Sequence, residues 1–185
     1  MNDINKKKTG KSPRKWRHLE GFKVQEDGKY SFSGGHMVCN MEPVKYRGVA
    51  IRLLILAAVS AAVLLLAGCV KNTGMEGNAF ILVPYALTLV TCLLLCSSLF
   101  RMVKSGTLLR DYQYEQIIYG VSRRSVEVLL FGAAGLCGII ISVVRHTFTG
   151  RFPGAVILSG AFAVTTAACA YIINKNRSIR WQPEK

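Results

Sequence analysis

The chain has 185 residues, 51% of them hydrophobic, with a mean hydropathy of +0.30 and 24 Lys plus Arg against 10 Asp plus Glu, a formal net charge of +14. A basic protein that folds in water spreads its charge over its surface, whereas here charge is excluded from four long stretches. The composition excludes a water-soluble enzyme domain and indicates an all-α integral membrane protein: a four-transmembrane-helix bundle with a basic, partly disordered cytoplasmic N-terminal region.

The first element in chain order is a basic arm. Residues 1–17 carry Lys6, Lys7, Lys8, Lys11, Arg14, Lys15 and Arg17 with almost no apolar side chain, so the segment has too little surface to bury and is expected to be disordered. It is too long for the basic region of a cleavable signal peptide. Anionic lipid headgroups are its expected partner, at up to about 1 kcal/mol per basic residue and less for a screened, mobile arm. Nucleic acid attracts the same charge but is the weaker expectation. Next, Trp16, Leu19, Phe22 and Val24 and the alternating Tyr30-Ser31-Phe32-Ser33 before Gly34-Gly35 predict a small ordered patch. It is too short for a core of its own and needs headgroups or another protein to cover it. His36 and Cys39 have a ligand-like spacing, but one pair without a second makes no metal site. The Glu42-Pro43 step breaks the chain ahead of the first span.

Four charge-poor stretches follow, at about 49–70, 79–100, 126–144 and 154–173. They lie in a membrane domain of residues 49–174, preceded by the basic region 1–48 and followed by the tail 175–185. At roughly 19 to 22 residues, each is long enough to cross a hydrocarbon core of about 30 Å. Continuous Leu, Ala, Val and Ile without period-2 alternation predict helices and not a barrel. Basic residues crowd the N-terminal region, the connection 101–125 (Arg101, Lys104, Arg110, Arg123 and Arg124) and the tail (Lys175, Arg177, Arg180 and Lys185). The first connection has Lys71 alone, and the third has Arg145 and Arg151. That alternation predicts a multi-pass protein with both termini in the cytoplasm.

Charged groups inside the spans are the first place to look for transport or catalysis. These are Arg52 and Glu127, both at the cytoplasmic edge, where Arg snorkels and Glu suits a helix N-terminus. A helix–helix ion pair between them is the sharper expectation. Intramembrane hydrolysis needs paired aspartates, a Ser with a His, or a zinc motif, and the spans offer none of these. The expectation is no enzyme and no cofactor. Cys92 and Cys96 lie four apart and with Thr88 form a narrow stripe on one helical face. A soft-metal site would need a third ligand that the sequence does not place, so packing is the expected role. With Pro84, which opens the helix backbone, the same residues form the candidate pore stripe Pro84, Thr88, Cys92 and Cys96.

At the outer end of the first span, Leu66-Ala67-Gly68-Cys69 resembles the lipobox of bacterial lipoproteins, which implies lipidation of Cys69 and a bacterial plasma membrane. Three further spans and the long basic region depart from that pattern. Small residues that let helices approach recur as Ala134, Gly138 and Ser142 in the third span and Ser159, Ala163 and Ala167 in the fourth. The first span offers Ala57 with Ala61 and Ala58 with Ala62. The connection 101–125 is predicted to be an amphipathic cytoplasmic helix punctuated by Gly106 and Gly120, with Leu109, Tyr112, Gln116 and Tyr119 at helical spacing. Two functions follow as expectations. One is a non-enzymatic subunit, scaffold or regulator of a membrane complex, with a membrane-protein partner or a second copy. The other is a small oligomeric transporter or channel.

Overall fold

The structure, a computed structural model, describes residues 22–24, 30–32, 35–71, 73–75, 78–145 and 152–183. The arm bearing Lys6, Lys7, Lys8, Lys11, Arg14, Lys15 and Arg17 lies outside the described residues, as do Trp16 and Leu19. Four helices form the body: α1 (Pro43–Cys69), α2 (Ala79–Ser105), α3 (Asp111–Val144) and α4 (Phe152–Ser178). Each is long and apolar enough to cross a membrane, as the four charge-poor stretches predict. Short connections make successive helices antiparallel, and α4 returns against α1, so the four close a ring.

A helix of 27 residues such as α1 or α2 is about 40 Å long, longer than the hydrocarbon it has to cross. The surplus turns lie mainly at the basic end: α1 begins at Pro43, α2 runs on to Ser105, α3 begins at Asp111 and α4 runs to Ser178. The boundaries have local causes. Pro43 starts α1 at a position where its missing N–H costs nothing. Asn78 caps α2, its side chain accepting from Phe80 N at 3.2 Å, and Gly106 ends that helix at φ 73°, a conformation few other residues tolerate.

At the basic end a small sheet gathers three distant segments. After a hairpin of β1 (Phe22–Val24) and β2 (Tyr30–Phe32), the strand β3 (His36–Cys39) forms the centre of a three-stranded antiparallel sheet. Its neighbours are β4 (Leu108–Arg110) and β5 (Trp181–Pro183). Met37 faces Leu109 in one ladder, and Cys39 faces Trp181 in the other. Further backbone bonds extend both pairings, from Cys39 N to Thr107 O at 2.9 Å and from Asn40 N to Arg180 O at 3.1 Å. The hairpin matches the ordered patch expected at Tyr30–Phe32, whereas the sheet is a new feature.

The connection 101–125 differs from its expectation as a separate amphipathic helix. Its first residues prolong α2, Leu108–Arg110 pair with β3, and everything from Asp111 onward is the start of α3. Gly120 does not stop that helix: its φ of −59° is right-handed helical, and Ile117, Ile118 and Val121 keep the apolar face in phase with the span beyond. Between Glu115 and Tyr119 the turns widen to a π-helix.

The core has two parts along the ring axis. Near the sheet, Tyr46, Leu53, Leu99, Met102, Ile118, Val121 and Ile172 pack together, with Leu109 and Trp181 closing over them. Toward the opposite end, Leu64, Ile81, Ile139, Leu158 and Phe162 form the second part. Tyr46 and Tyr114 meet the Trp181 ring edge to face at 5.7 and 5.6 Å, so the tail is pinned on the bundle by aromatic contact.

Candidate functional site

The candidate pore stripe lies inside the ring. Thr88 and Cys92 are fully buried, and Pro84 and Cys96 are half-buried. Their polar groups are already engaged. Thr88 donates to Pro84 O at 2.7 Å and Thr91 to Leu87 O at 2.7 Å, each bonding back to a carbonyl one turn earlier in its own helix. The same device satisfies Ser60, Ser125 and Thr165, which donate to Leu56 O, Val121 O and Ala161 O. Cys92 Sγ lies 3.8 Å from Ala57 O across to α1. Hydroxyls that spend their protons on their own helices behave as small packing residues, with no proton left for a passing solute.

Close approach of the helices is achieved by glycine, at a spacing the sequence analysis did not select. Gly132, Gly135 and Gly138 are all buried. A Cβ at Gly132 would strike the Thr166 methyl, one at Gly135 the Phe162 ring, and one at Gly138 the backbone carbonyl of Phe80. Thus α3 uses steps of three to fit against α4 and α2 together. Of the predicted seam on α3, Gly138 and Ser142 are buried but Ala134 faces outward, because steps of four from Ser142 drift around the helix away from the buried stripe. Ser142 accepts a hydrogen bond from Asn78 Nδ2 at 2.7 Å, tying α3 to the start of α2. On α4 the predicted seam is not the internal one: Ser159 is half-buried, and Ala163 and Ala167 are exposed. The inward positions include Leu158, Ala161, Phe162, Thr165 and Cys169. On α1, Ala57 and Ala61 pack inward, and Ala58 and Ala62 do not.

No family model, curated protein or solved structure matches the chain. Function has to be read from the faces themselves.

The charged candidates do not pair as expected. Glu127 bonds within α3, to Arg123 Nε at 3.0 Å and Arg124 Nη1 at 2.6 Å, while Arg52 is exposed on α1. An i,i+3 and i,i+4 set on one helix satisfies the carboxylate locally, which removes the need for Arg52 to cross to it. His36 and Cys39 stand three apart on a strand and therefore point to opposite faces. Cys39 is buried against the bundle, and burial pushes its thiol above the ordinary value, so it stays protonated at neutral pH. Among the described residues no three His, Cys, Asp or Glu side chains are grouped to hold a metal ion.

Within the lipobox-like tetrad the two central residues pack inside the bundle. Ala67 is buried, and a side chain at Gly68 would collide with the Tyr85 hydroxyl, which donates to Leu64 O at 3.1 Å. Cys69 itself is exposed at the end of α1.

Asn176 was not foreseen. It is buried on α4 and donates through Nδ2 to Ser122 Oγ at 2.9 Å and to Ile118 O at 3.4 Å, the latter inside the π-helical turn. A widened turn misaligns carbonyls, and an amide from the neighbouring helix covers one of them. The sequence signal was an Asn just past the fourth apolar stretch, indistinguishable there from a solvated tail residue.

Proposed function

We propose that the protein is a non-enzymatic, multi-pass subunit or scaffold of a membrane complex, set in a bacterial plasma membrane with the sheet end and both termini in the cytoplasm. The observation that carries this reading is the outer face of α4. Gly160, Ala163, Ala167 and Ala170 follow one another at steps of three and four, and all are exposed. In lipid, small residues add little by facing acyl chains, and they contribute most when another helix packs on them. The internal seam is formed by the glycines of α3, so this second stripe is left for a helix from outside the bundle. The self-satisfied hydroxyls around Thr88 and Thr165 also favour a packed structural body over a solute path. Anionic headgroups under the basic arm complete the proposed setting.

Cysteine cross-linking in the native membrane tests the face. In a Cys69→Ser, Cys137→Ser background, Ala163→Cys is expected to give oxidised cross-links to a second chain. Ile157→Cys, exposed on another side of α4, is expected to give none. Equal cross-linking from both positions would remove the argument for a specific face.

A further inference from the structure

At the basic end, the first turn of α1 and the last turn of α2 part around a cleft of about 560 Å³. Pro43, Tyr46 and Arg47 line one side, and Phe100, Lys104 and Gly106 the other. No carboxylate lines it, and Glu42, adjacent to it in sequence, is held by Lys45 at 3.1 Å. Among the described residues neither Arg47 nor Lys104 has an acidic partner; the Lys104 ammonium rests 4.5 Å from the centroid of the Phe100 ring. The start of α1 adds to this positive field. No side chain caps it and Pro43 has no N–H, so the Val44 and Lys45 N–H groups and the positive end of the helix dipole stand at the rim.

Tyr46 supplies an independent observation. Its side chain is 1% exposed, and its hydroxyl has no hydrogen-bond partner. The hydroxyl lies beside Ser105, which is flanked by the cleft residues Lys104 and Gly106 and gives its own proton to Met102 O at 3.0 Å. A guanidinium, an ammonium, two uncapped N–H groups and an unmatched hydroxyl are all donors suited to phosphate oxygens. Below the cleft the surface turns apolar. Arg47, Ile51 and Ile55 descend α1 at steps of four, Phe100 and Leu93 lie two turns apart on α2, and all five are exposed. Cationic donors above a lipid-facing track fit an amphiphile better than a dissolved anion.

We propose that this cleft binds the phosphate headgroup of an anionic phospholipid whose acyl chains lie along α1 and α2. The inference rests on the membrane placement of the helices and not on assembly through α4. Native mass spectrometry of the full chain, titrated with phosphatidylglycerol or phosphatidylcholine, tests it. The expected result is at least tenfold tighter binding of phosphatidylglycerol, lost at least tenfold in Arg47→Gln/Lys104→Gln and changed less than twofold in Arg177→Gln/Arg180→Gln, which removes the same charge. Retained binding in Arg47→Lys/Lys104→Arg, and a partial loss in Tyr46→Phe, keep the test valid where the double Gln variant does not fold. Equal affinity for the two lipids, an equal loss in the tail variant, or displacement by millimolar inorganic phosphate would overturn the proposal.

Discussion

Gly138 and Gly48 are both helical glycines with opposite surroundings, and they show what decides the effect of adding a single methyl group. At Gly138 the new atom meets the main chain of α2 at Phe80, which cannot rotate away, so α2 and α3 have to separate. Gly138→Ala is expected to destabilise the bundle by about 1–3 kcal/mol, the usual cost of overpacking. At Gly48, in the first turns of α1, nothing lies within 4 Å. There the same change is expected to stabilise by about 0.5–1 kcal/mol through helix propensity alone. Thermal unfolding of the two variants in one detergent reads both signs. The residue scale was also the hardest to foresee. Glu127 and Arg52 both lie just inside the edges of apolar stretches, and only the presence of Arg123 and Arg124 one turn before Glu127 reveals that it is satisfied locally. Whether Ala163 faces a neighbour within the bundle or lipid depends on how far α4 is rotated, which small-residue spacing alone does not define.

Among the elements, the helices were legible and the sheet was not. The edges of the apolar stretches at about 70, 79 and 144 agree closely with helix ends at Cys69, Ala79 and Val144, because there the chain leaves the bilayer through short polar loops. At the basic end the agreement fails. Charge marks where hydrocarbon stops, but it does not stop a helix, and α2 and α3 continue beyond Phe100 and before Val126. The strands run only three or four residues, and the centre of the sheet pairs with a tail from the other end of the chain, so no local alternation announces them. That architecture has a testable consequence. Proline is poorly tolerated in a central strand, so Val38→Pro is expected to release the whole sheet. Amide exchange should accelerate together in His36–Cys39, Leu108–Arg110 and Trp181–Pro183, with the helix centres still protected. Acceleration confined to His36–Cys39 would mean that the three strands are not one cooperative unit.

For the whole molecule, the sheet brings His36–Cys39, the second connection and the tail to one end of the bundle, and in the proposed orientation, drawn from the Lys and Arg distribution, that end faces the cytoplasm. An impermeant maleimide is therefore expected to label Cys69 on intact cells, and to label Gln182→Cys only after permeabilisation. The reverse pattern would invert the orientation. The four helices were readable from composition, whereas the proposed assembly face could be chosen only on the packed bundle. The measurement that bears most directly on the subunit reading is the mass of the protein in native lipid particles, compared with Ala163→Leu/Ala167→Leu. The account predicts a wild-type particle heavier than one 20.3 kDa chain, and a variant that falls to a single chain with its unfolding temperature unchanged. A wild-type protein that is already a single chain, or a variant that keeps its partners, would contradict it.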